Sequence, residues 1–76
     1  MAAKDIDSVN DLAIIVGKNI RRIRLQHGLT QKELAKLIKT DAKMISQYEH
    51  GAIPMAIDRL GNIAKVLDVD VSELTH

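Results

Sequence analysis

The chain has no cysteine, no phenylalanine and no tryptophan, and only one tyrosine and one proline in 76 residues. Without cysteine, neither a disulfide nor a thiolate-bound metal can staple it. Its stability must come from an aliphatic core, with oligomerisation as the other source available to so small a chain. With Tyr48 as the sole aromatic, RNA modules that stack bases on exposed rings are disfavoured. No apolar run reaches the ~18 residues of a membrane span. The opening MAAKDIDSVND carries three acids where a secretion signal has a basic start and an apolar run, so a cytoplasmic protein that does not engage membranes is the default expectation. His27, His50 and His76 are scattered without metal-ligand spacing, and no glycine-rich phosphate loop is present. Neither catalysis nor a metal or other cofactor is expected.

What is present is aliphatic residues at helical spacing and an uneven charge. Seventy-six residues make one domain, here 1–76, near the lower limit for independent folding. Residues 1–11 read as a partly flexible N-terminal extension. The net charge of +1 says little, but its distribution says more. Residues 1–11 hold one base and three acids, residues 12–50 eight bases and three acids, and residues 51–76 two bases and four acids. The positive excess that phosphate neutralisation needs is therefore concentrated in the middle of the chain.

The pattern predicts five helices and no strand, an all-α compact bundle. The first starts near Ser8, where Ser8 and Asp11 form a capping box, and its apolar stripe is Leu12, Val16, Ile20 and Ile23. It ends near His27, with Gly28 in the left-handed position. Ala13, Ile14 and Ile15 make its first half apolar nearly all round, so that half needs cover from the fifth helix or a second subunit. The second helix follows a T-x-x-E box at Thr30 and Glu33, with Leu34, Leu37 and Ile38 inward and Ala35 small where the next helix passes. The third begins after Asp41, buries Ile45 and Tyr48, and ends at Gly51. Pro54 falls near the first turn of the fourth, whose inner face is Ile57, Leu60, Ile63, Ala64 and Leu67. Asp70 and Glu73 open a short fifth helix carrying Val71 and Leu74.

The stretch from Leu29 to Gly51, LTQKELAKLIKTDAKMISQYEHG, is the most informative. It gives two short helices at a tight corner, the second with small and polar side chains on one side and an apolar anchor on the other. Lys43, Ser46 and Gln47 lie at i, i+3 and i+4, opposite Ile45. Such a helix suits the DNA major groove.

Residues 20–74 resemble the Cro/C1-type (XRE-like) helix-turn-helix family of phage repressors and bacterial regulators. The resemblance rests on Ile20-Arg21-Arg22-Ile23-Arg24, Gly28-Leu29-Thr30-Gln31, Glu33-Leu34-Ala35, Ile45-Ser46, Glu49, Gly51, Leu60, Ile63-Ala64, Leu67 and Val69. It implies the lambda-repressor-like fold, with the helix-turn-helix at about residues 30–50. It implies base contacts from Ala42, Lys43, Ser46 and Gln47 and phosphate contacts from Gln31, Lys32, Lys39 and His50. Gln47 can bond adenine N6 and N7, Lys43 guanine O6 or N7 or a phosphate, and Ala42 only the thymine methyl. It also implies a partly buried ion pair between Arg24 and Glu49. The chain departs from the family pattern at Lys39, where glycine is frequent, at Thr40, usually apolar, and at Pro54, one place early.

The function implied is a sequence-specific regulator binding double-stranded DNA, most simply a repressor. It is expected to act as a homodimer on a near-palindromic site with half-sites one turn, ~34 Å, apart. The fifth helix, with Val69, Val71 and Leu74, is the favoured dimer surface, and the apolar half of the first helix is the other. An antitoxin that also binds a toxin or other protein partner is the alternative.

Overall fold

Aliphatic residues at three- and four-residue steps can be buried together only on helices that share one centre. A computed structural model shows this arrangement, and it describes the backbone of residues 2–76 and the side chains of residues 11–76. Its described residues form five α-helices and no strand: α1 Ala2–Gln26, α2 Gln31–Leu37, α3 Ala42–Glu49, α4 Ile57–Val66 and α5 Val71–Leu74. Ile20, Leu34, Ile45, Ile63, Leu67 and Leu74 are fully buried and come from all five helices. Helix α3 packs against both α1 and α2, and α5 closes the far side against α1 and α4. Asn19 donates from Nδ2 to the Leu74 carbonyl at 2.9 Å, tying α5 to α1.

Four helices stop in the same way. After the last residue of α1, α2, α3 and α4, a left-handed residue follows the cap: Gly28, Lys39, Gly51 and Asp68, with φ of 69°, 60°, 66° and 57°. The next amide in each case reaches back five residues, as Leu29 N–H does to the Arg24 carbonyl (3.1 Å) and Thr40 N–H to the Ala35 carbonyl (2.8 Å). This Schellman closure satisfies carbonyls that a helix end leaves open.

Several local expectations are corrected. Helix α1 starts at Ala2, not near Ser8, so Ser8 lies inside a helix instead of at its cap. The Ser8 side chain of the expected capping box lies outside the described residues. Pro54 precedes α4 by three residues, and Ala56 is the N-cap, without a side-chain bond. Ile57 therefore sits at the very start of α4 and is 85% exposed, while the inner face begins at the half-buried Leu60. Leu37 and Leu12, expected inside, are exposed: each lines an open cavity without being covered by it, Leu37 beside Asn62, Lys65 and Val66 of α4, and Leu12 beside Tyr48, Ile53, Met55 and Leu60. Leu74, expected at a dimer surface, is fully buried, because the short α5 must put its one large side chain into the core. The favoured dimer surface loses its main apolar member, though Val71 remains exposed.

Candidate nucleic-acid interface

The two helices of the candidate interface are set by their ends. At α2, Thr30 Oγ1 accepts from the Glu33 amide (3.0 Å) and Glu33 Oε1 accepts from the Thr30 amide (2.9 Å). The bond from the Thr30 amide, then that from its hydroxyl, hold the Glu33 carboxyl below the usual carboxylate range. At α3, Asp41 Oδ1 accepts from the Met44 amide at 2.8 Å. Between them the corner Ile38–Lys39–Thr40 is as tight as a Schellman turn allows, with Lys39 in the left-handed region. Arg59, from α4, donates from Nη1 to the Ile38 carbonyl at 2.8 Å. A cation thus caps the negative end of α2.

Helix α3 divides into two sides. Ile45, Tyr48 and Glu49 are buried. Lys43 is exposed, and Ala42, Ser46 and Gln47 are half-buried, so all four expected base-facing residues stand off the core. Met44 is half-buried and packs against the core. Of the expected phosphate-facing residues, Lys32, Lys39 and His50 are exposed and Gln31 is half-buried.

Behind this surface lies a polar lock. Arg24 Nε and Nη2 donate to Glu49 Oε2 and Oε1 at 2.6 and 3.1 Å, a two-pronged pair with the residues only 6% and 7% exposed. Arg24 Nη1 donates to the Leu29 carbonyl at 2.7 Å, and Gln31 Nε2 donates to Glu49 Oε1 at 3.0 Å. One guanidinium therefore joins α1, the loop before α2 and the end of α3, and the start of α2 is tied to the same carboxylate. Paired fork geometry of this kind fixes orientation as well as charge. The family resemblance pairs Arg24 with Glu49 but does not show Gln31 as the third member, because that bond joins the start of α2 to the end of α3, 18 residues away.

Two further features are missed by sequence reasoning. Gly17 on α1 lies against the last turn of α3, where a Cβ would stand 2.3 Å from the Tyr48 carbonyl oxygen and 2.6 Å from that of Glu49. Only glycine permits this approach. A glycine inside an otherwise helical run, directly after the core residue Val16, is its only sequence signal. His50 turns back on its own helix: its Nδ1 lies 2.7 Å from the Ser46 carbonyl, which can only accept, so Nδ1 carries the hydrogen. A neutral His50 then presents Nε2 as an acceptor, and only the imidazolium can donate to a phosphate.

No cluster of metal-ligating side chains occurs among the described residues. None of the described helices is long and apolar enough to cross a membrane.

A family model described as Helix-turn-helix matches residues 20–74. An uncharacterized HTH-type transcriptional regulator of Sinorhizobium medicae is 35% identical over 63 residues, covering 83% of this chain and 45% of the relative. The antitoxin PezA of Streptococcus pneumoniae serotype 4 is 28% identical over 60 residues, covering 79% of this chain and 38% of PezA. The crystal structure of the restriction-modification controller protein C.AhdI from Aeromonas hydrophila matches with a TM-score of 0.80 at 26% identity, covering 86% of this chain and 94% of that one. The chain spans less than half the length of the two curated relatives named.

Proposed function

Because the chain belongs to the helix-turn-helix family of the Cro/C1 type, a family of DNA-binding transcriptional regulators, we propose that it is a sequence-specific regulator of double-stranded DNA. In this reading residues 1–76 act as one cytoplasmic DNA-binding domain, without catalysis or cofactor. It represses by occluding a promoter, as a dimer on a near-palindromic operator, with α3 in the major groove. The carrying observation is α3 itself: Lys43 exposed and Gln47 half-exposed on the side away from buried Ile45 and Tyr48, on a helix held by the Arg24–Glu49 fork. Ala42, Lys43, Ser46 and Gln47 read bases. Lys32, Lys39, the free N–H of Gln31 and, in its imidazolium form, His50 hold phosphates. Glu49 orients that Gln31 amide, so the lock behind the interface also presets one of its contacts.

Selection of bound duplexes from a random pool, repeated with Gln47→Ala, tests the assignment. The parent is expected to enrich a two-fold related sequence. The variant is expected to lose preference at one base pair per half-site, a loss of about 1–3 kcal/mol of discrimination. An enriched sequence untouched by Gln47→Ala would place the reading helix elsewhere.

The similarity to PezA supports a second reading, a DNA-binding antitoxin that also engages a toxin protein. The exposed Leu12, Ile14 and Ile15 of α1 supply an apolar surface for such a partner. Under this reading a stoichiometric protein co-purifies from the native host and is displaced by Ile15→Glu. Isolation of the chain alone from that host decides against it.

A further inference from the structure

The outward face of α1 carries a charge pattern that is complementary to itself. Val16, Ile20 and Ile23 face the core. On the opposite side Asp11, Ile15, Lys18 and Arg22 follow one another at four-, three- and four-residue steps, and all four are exposed. Ile14 flanks this stripe and is 41% exposed, and Ile15 is 39% exposed. The stripe therefore runs acid, isoleucine pair, base, base. In the sequence the acidic end is extended by Asp7, four places before Asp11.

Within its own helix the pattern is unfavourable. Asp11 has Ile14 and Ile15 at the third and fourth positions after it, so no cation is in reach. Lys18 has Arg21 and Arg22 at the same spacing, so it meets only like charge. Turning a second α1 end for end resolves both defects. With the two-fold axis between residues 14 and 15, each Asp11 faces the second copy's Lys18, and each Ile14 faces the second copy's Ile15.

We propose that a second copy of this chain docks on this face, with the two α1 helices antiparallel and centred on Ile14 and Ile15. The pairing covers Ile15 and the exposed part of Ile14, whose other side lies against Gly51. It uses no core residue and neither Val16 nor Gly17, which face inward. A single pair of helices buries less than the ~1,200 Å² of a standard interface, so the dimer is of the weak, concentration-dependent class, with a dissociation constant of micromolar order or above. The inference concerns the free protein and does not rest on the DNA-binding reading, since it is measured without DNA.

Sedimentation equilibrium of the full chain at low salt, from micromolar to millimolar concentration, provides the test. The parent is expected to self-associate reversibly to a dimer. Lys18→Glu and Asp11→Lys, each with parent-like helicity by circular dichroism, are each expected to raise the dissociation constant about tenfold or more, because two facing pairs turn repulsive at once. An equimolar mixture of the two variants restores association, as does the double variant. Ile15→Glu abolishes it. A chain that stays monomeric across the range overturns the proposal. So does a dimer indifferent to Lys18→Glu, which points to the surface around Val71 or Ile57, and so does a loss that the reciprocal change fails to rescue.

Discussion

Arg24 is the side chain on which the geometry of the candidate interface converges. Its fork reaches Glu49 while its third nitrogen holds the Leu29 carbonyl. Removing it leaves the Glu49 carboxylate buried with only Gln31 as partner, so Arg24→Ala is expected to destabilise the fold by about 3–5 kcal/mol. For a domain of this size that lowers the midpoint of thermal unfolding by roughly 12 °C or more, readable by circular dichroism, and an unchanged midpoint refutes the buried-pair account. Lys39 stores strain of the opposite sign. Its φ of 60° suits glycine, and Lys39→Gly is expected to stabilise the protein by about 1 kcal/mol in urea unfolding, while DNA binding becomes less salt-dependent. Glu33 contributes a pH dependence. Its carboxyl is held below the usual range by the Thr30 amide and hydroxyl, so its stabilisation is fully present above the ordinary carboxylate range. It fades as pH falls from there through the lowered folded value. The stability gap between the parent and Glu33→Ala should accordingly narrow on acidification.

At the level of single helices, the ends of α2 and α3 were legible in the chain because capping is local. Thr30, Glu33 and Asp41 lie within one turn of the amides they satisfy. The start of α4 was not, because proline marks where a helix is tolerated without requiring one to begin, and the loop runs on to Ala56. At Leu37 and Ile57, the last residue of α2 and the first of α4, the periodic pattern predicts a burial that the structure does not give, because a helix end is covered on fewer sides than its middle. Two contacts between helices carry predictions. Gly17→Ala pushes a Cβ into the Tyr48 and Glu49 carbonyls, so either α3 moves or stability falls by roughly 1–3 kcal/mol. Weaker DNA binding with retained helicity is the expected readout. Leu74→Ala, in a helix of only four residues, empties a fully buried site and is expected to cost about 2–5 kcal/mol, seen as a lower urea midpoint.

Across the molecule, charge is arranged in blocks along a chain whose net value is only +1. The basic middle segment supplies Lys32 and Lys39 on the interface, and the acidic and basic stretches of α1 supply the self-complementary stripe. Binding to duplex DNA should therefore weaken steeply with salt. The slope of log K against log salt should fall by about 1 per bound protomer in Lys32→Ala, measured by fluorescence anisotropy. A slope unchanged in that variant removes Lys32 from the phosphate contacts.

Five helices, the caps of α2, α3 and α5 and the outward placement of Lys43 and Gln47 follow from spacing along the chain, since hydrogen bonds and periodic burial act within a few residues. Three results were not readable there: the inward turn of Leu74, the contact of Gly17 with α3, and the joining of Gln31 to the Arg24–Glu49 fork. Each depends on the angle at which two helices cross, and that angle is set by the packing of side chains far apart in the sequence.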